Sequence, residues 1–92
     1  MGVENNENNI NAFNVYPNPS KGKVTLSMYL PNTSDMKAII YNSLGQTVFN
    51  NTYLARSGTT SIDFDLAHLT SGIYFLKVIA GKSIKSAPII KQ

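Results

Sequence analysis

Residues 23–30 read Lys-Val-Thr-Leu-Ser-Met-Tyr-Leu, with Val24, Leu26, Met28 and Leu30 alternating against Lys23, Thr25, Ser27 and Tyr29. Successive side chains of a β-strand point to opposite faces, so a strand sorts all four aliphatic side chains onto one face and leaves a mainly polar face for water. A helix would scatter the same residues around its circumference. Pro31 and Asn32 stop the run, because proline has no amide to donate to a ladder and both residues favour turns. This stretch predicts a half-buried strand, and its period of two sets the reading of the rest of the chain.

On the N-terminal side, residues 13–16 form a second, shorter strand, ended by Pro17-Asn18-Pro19, whose two missing amides force a bend. On the C-terminal side, residues 36–41 form a strand, and Asn42-Ser43-Leu44-Gly45 makes a hairpin turn in which Gly45 supplies a positive φ. Residues 46–54 return as its partner. Ser57-Gly58 turns the chain again, and residues 59–64 place Ile62 and Phe64 inward. Residues 66–71 read as a loop with room for one helical turn. Residues 72–80, GIYFLKVIA, make a long strand, Gly81-Lys82 a tight turn, and residues 83–90 the last strand. In GIYFLKVIA both faces are largely apolar. Tyr74, Leu76 and Val78 are assigned to the core because the opposite choice buries Lys77. Ile73, Phe75 and Ile79 then face outward, which suits a central strand or one covered by something outside this chain. Seven strands with turn residues every 8–12 positions predict an all-β, seven-stranded, Ig-like antiparallel β-sandwich of Greek-key type, with an open barrel as the other solution.

The 92 residues suffice for one domain. Residues 1–11, MGVENNENNIN, carry too little apolar surface to offset the entropy of ordering and read as a flexible linker, with Met1 and Gly2 as an expression start; residues 12–92 are the domain. The chain has no cysteine, so stability rests on packing and strand pairing rather than disulfides or thiolate metal sites. No apolar run has the length of a membrane-spanning helix, and the first residues do not read as a signal peptide. The formal net charge is +3, with Lys77, Lys82, Lys85 and Lys91 gathered after the last acid, Asp65.

Catalytic chemistry finds little material. His68 is the single histidine, flanked by Ala67 and Leu69, and reads as a loop residue without partners for acid–base work. Asp63 and Asp65 share one strand face but supply too few oxygens for a hard cation, and Asp65 is placed to cap the following turn. The glycines are scattered, so no phosphate-cradling loop exists. The lysines are single rather than interleaved with the five tyrosines and four phenylalanines, which argues against nucleic acid. No metal, cofactor or catalytic residue is expected. A carbohydrate- or protein-binding sandwich module of a secreted enzyme is the alternative reading of the fold.

Three segments in order carry more than any single residue: NVYPNPSKGKVTLS, then IIYNSLGQTVF, then IDFDLAHLTSGIYFLKV followed by a short basic strand. In this arrangement the chain resembles the type A C-terminal sorting domains of the type IX secretion system of Gram-negative bacteria. Tyr16, Pro17, Asn18 and Pro19 match the family's opening Y-P-N-P, Gly45 its hairpin glycine, and Gly72, Tyr74 and Leu76 its G-x-Y-x-x strand. Ile89-Ile90-Lys91 matches its closing aliphatic pair and basic residue. The resemblance implies a non-enzymatic address at the end of a cargo protein that lies N-terminal to it. It implies passage through the periplasm to the cell surface or medium, contact with shuttle components and the outer-membrane translocon, and removal by a surface protease. By pattern alone the final strand reads as an ordinary last strand with solvated lysines; the resemblance makes it the candidate signal, with Lys82, Lys85, Ile89, Ile90 and Lys91 open to strand addition or to an acidic receptor. Deleting residues 89–92 is then expected to stop export while leaving the sheet folded.

Overall fold

A computed structural model describes residues 9–92. Seven strands run in the order β1 Asn11–Tyr16, β2 Lys23–Leu30, β3 Ser34–Asn42, β4 Thr47–Ala55, β5 Gly58–Asp65, β6 Gly72–Ala80 and β7 Ser83–Lys91. They form two antiparallel sheets, β1-β2-β5 and β4-β3-β6-β7. The fold is the expected β-sandwich. With β1, β2, β3, β5, β6 and β7 in the places of strands A, B, C, E, F and G of a constant-type immunoglobulin domain, β4 pairs with β3 instead of joining the A-B-E sheet.

Alternation decides what is inside. Val24, Leu26, Met28 and Leu30 of β2 are fully buried and face Met36, Ala38 and Ile40 of β3 and Tyr74, Leu76 and Val78 of β6 across one core. Phe64 is buried, Ile62 is half-buried against the same core, and the Phe49 and Phe64 rings meet edge to face at 5.2 Å. Residues 66–71 form no helix: Leu66 drops into the core, Leu69 N–H donates to Leu66 O at 3.0 Å, and the chain re-enters at Gly72. Two further positions depart from the sequence reading. Ile10 is buried and Asn11 opens β1, so the packed chain reaches into the segment read as linker; residues 1–8 lie outside the described part. A single aliphatic side chain with a place in the core outweighs the polar composition around it.

Every β-turn and loop falls at one of two poles. At one lie the β2–β3 loop, the β4–β5 turn and the β6–β7 turn with Gly81 and Lys82. At the other lie the Pro17–Gly22 loop, the β3–β4 turn, the β5–β6 loop and the end of β7.

Candidate functional site

The second pole collects all three segments that carry the family resemblance. The β3–β4 turn is closed on Asn42: its amide donates to Gln46 O at 2.9 Å, and its Oδ1 accepts from Leu44 N–H at 2.9 Å and Gln46 N–H at 3.0 Å. Gly45, at φ 84°, lies in the left-handed region that a side chain would strain, and this fixes a glycine there. Across the pole, the buried Tyr74 sends its hydroxyl back to Thr70 O at 2.6 Å. This is the tyrosine corner of immunoglobulin-like sandwiches, and it ties the β5–β6 loop to the start of β6.

The Y-P-N-P segment lies against the last strand. Asn18 Nδ2 donates to Pro88 O at 2.8 Å, and Ile90 N–H donates to Asn18 Oδ1 at 2.8 Å. Two residues on, Ser20 N–H donates to Ile90 O at 2.8 Å and Gln92 N–H donates to Ser20 O at 2.7 Å, a short parallel bridge between Ser20 and Lys91. Ser20 is itself buried, and its Oγ donates to Lys23 O and accepts from Gly22 N–H, so the loop is braced from within. Gly22 is needed for close approach: a Cβ there would stand 3.1 Å from the Ala67 Cβ, where Leu66 N–H donates to Gly22 O. Pro17, Pro19, Lys21, Asp65, Ala67 and Gln92 surround a shallow hollow of about 580 Å³ beside this bridge. A second hollow, of about 410 Å³, lies between the β3–β4 turn and His68, Thr70 and Gly72.

The basic residues singled out in the sequence do not form one patch. Lys82 sits in the β6–β7 turn at the first pole, and the nine residues of β7 put it roughly 30 Å from Lys91 at an extended rise per residue. Lys91, expected to be solvated, is only 9% exposed, because it shares the inward parity of Ile89. Ile89 is fully buried, whereas Ile90 points outward and is 43% exposed, so the aliphatic pair divides between core and surface. The edge of β7 is also less open than a terminal strand suggests. Ile90 spends its amide and carbonyl on Asn18 and Ser20, and Pro88 has no amide, so strand addition has no free donors over the last third of β7.

The other candidates find local roles. Thr25 Oγ1 donates to Asp63 Oδ1 at 2.8 Å, and Ala67 N–H donates to Asp65 Oδ1 at 3.0 Å, the turn cap expected of Asp65. His68 is exposed on the β5–β6 loop. Among the described residues no three of His, Cys, Asp and Glu come together in a metal-binding group.

The geometry defines an immunoglobulin-like sandwich module whose opening turn is stapled to its last strand. Comparison with known proteins supplies the particular family: a model described as "Secretion system C-terminal sorting domain" matches residues 14–92. The chain belongs to the family of type IX secretion system C-terminal sorting domains, a family of sorting signals rather than of enzymes. No curated protein matches it in sequence. Among solved structures it is similar to a β-glucosidase from Kluyveromyces marxianus, with a TM-score of 0.53 at 11% identity over 90% of this chain and 14% of that one. It also matches β-glucosidase 3B from Thermotoga neapolitana in complex with glucose, with a TM-score of 0.49 at 11% identity over 87% of this chain and 15% of that one. The chain therefore spans a small part of these enzymes, and at such identity the first likeness shows a shared fold alone.

Proposed function

We propose that the domain is the export address of a larger cargo protein joined to its N-terminal side, read in its folded form by the type IX machinery. The family assignment over residues 14–92, essentially the whole packed domain, carries this reading. A sorting signal of this class directs proteins towards the cell surface or the medium. In the finer reading, the cargo crosses the periplasm, the domain meets shuttle components and then the outer-membrane translocon, and a surface protease cuts on the N-terminal side of β1.

The residues proposed to carry the address are those of the pole around the end of β7. A receptor that serves unrelated cargo must recognise something constant. A stapled pole keeps its backbone geometry whatever precedes it, unlike a free tail that would lose conformational entropy on binding. In this reading Asn18, Ser20 and Tyr74 position the surface, while Ile90 and Lys21 contact the receptor. Lys82 and Lys85 lie away from this pole and contribute through the long-range field that steers encounter. The domain does no chemistry: it binds and is removed.

The test is a periplasm-directed fluorescent protein carrying residues 3–92 at its C-terminus in a host with the system. Reporter outside the cell, lost when residues 13–92 are omitted, supports the reading. Equal export with and without the domain removes it.

A further inference from the structure

On the outward face of the four-stranded sheet, several large apolar side chains stand where a solvated sheet face is normally polar. Ile73, Phe75, Ile84 and Ile90 are 50%, 45%, 57% and 43% exposed. Register gathers them into two groups: Ile73 lies opposite Ile90 with Phe75 between Tyr41 and Pro88, and beyond the Lys77–Ser86 row Ile79 lies opposite Ile84. Exposed apolar side chains grouped in this way, with polar residues among them, mark an interaction site more often than single scattered ones do.

The charges on the two outer faces differ. On the β4-β3-β6-β7 face, Lys77 stands between Ile39 and Ser86, and Lys37 lies beside Ile79; Asp35 is the acid of this face, at its far end opposite Leu54. On the β1-β2-β5 face, Lys23 is opposite Asp65 and Thr25 is opposite Asp63, among Ser27, Ser61 and Thr59. The β1-β2-β5 face is thus mainly polar and balanced towards acid, with Tyr16 and Tyr29 as its exposed rings, and the other is more apolar, with Lys37 and Lys77 against Asp35. Two copies meeting through the second face would bring like charges together, which costs rather than gains.

We infer that the outer face of β3, β6 and β7, centred on Phe75, Ile84 and Ile90 with Lys37 and Lys77, docks an acidic surface with an apolar centre on a component of the type IX secretion machinery. This rests on the sorting reading above. The Asn18 and Ser20 bonds hold the backbone at Ile90, so the pole side of the patch is rigid before binding and loses little entropy on docking. Ile90 joins patch and pole.

The test replaces Phe75 with the photocrosslinking residue p-benzoylphenylalanine in the exported reporter fusion, with the same replacement at Tyr29, exposed on the other sheet, as control. The expected result is a crosslink from Phe75 to a machinery subunit, identified by mass spectrometry, with none from Tyr29. Lys77→Glu should lower its yield by about tenfold or more, the scale of like-charge juxtaposition at an interface. Ile84→Ser, on the same outer face, should also lower it while the melting curve is unchanged. Equal crosslinking from the two faces, adducts only with a second copy or with lipid, or full yield from the Lys77→Glu variant would overturn the inference. Normal export without any Phe75 adduct removes this docking face and spares the sorting reading. A wild-type fusion that is not exported removes both.

Discussion

Asn18 holds Ile90 as a neighbouring strand would: its Oδ1 accepts from the Ile90 amide at 2.8 Å while its Nδ2 donates to the Pro88 carbonyl at 2.8 Å. A carboxamide carries the same donor and acceptor as a peptide group, so one side chain can occupy two ladder positions at a sheet edge. The opening motif and the last strand, 72 residues apart for this pair, therefore form one structural unit.

Asn18→Ala removes both bonds and should cost about 1–2 kcal/mol, the net value of two partly solvated hydrogen bonds. Hydrogen exchange at the Ile90 amide should accelerate more than exchange at the Leu76 amide. Unchanged exchange at Ile90 would show that the staple is not maintained in solution.

Core and surface alternate along β6, which gives a sharp stability contrast. Leu76→Ala should cost about 2–5 kcal/mol, and Tyr74→Phe about 1 kcal/mol through loss of the bond to Thr70 O. Ile73→Ala and Phe75→Ala should stay within about 1 kcal/mol, as surface changes do. Thermal melts with the reverse ranking would invert the facing of the sheet.

The two isoleucines at the chain's end should behave oppositely. Ile89 is fully buried, so Ile89→Ala should cost about 2–5 kcal/mol, whereas Ile90→Ser should leave the melting curve nearly unchanged and lower export. Deleting residues 89–92 is consequently expected to destabilise the whole domain, contrary to the sequence-based expectation. The deletion removes a core side chain and the bridge to Ser20 together. A folded, exported Ile90→Ser variant would move the contact surface elsewhere on the pole.

Gly22→Ala should cost about 1–3 kcal/mol, because its Cβ would stand 3.1 Å from the Ala67 Cβ and 3.2 Å from the Ala67 Cα, and backbone yields less readily than a side chain. A melt unchanged from wild type would show that the β5–β6 loop moves aside freely.

Much of the fold was legible because its signals are local. The alternation in Lys23–Leu30 placed four side chains in the core, and the lysine in Gly72–Ala80 chose its inner face. Asn42 and Gly45 announced a turn that their own hydrogen bonds close. The site was less legible, because it depends on pairs remote in sequence. Nothing near Lys91 indicates that Ser20 will bridge to it, so a lysine at the chain's end read as solvated although it is nearly buried. Composition likewise hid Ile10, whose burial depends on a gap that strands far along the chain create.

If the type IX machinery reads this folded domain, its transport depends on the outer-membrane translocon. The most direct measurement is the fraction of a periplasm-directed reporter, fused to residues 3–92, that reaches the outside of cells with and without the outer-membrane translocon. The expected result is reporter at the surface or in the medium of the intact strain and its retention in the periplasm of the strain lacking the translocon. Equal release from both strains, or periplasmic retention in both while the domain is folded, would mean that the type IX machinery does not read it.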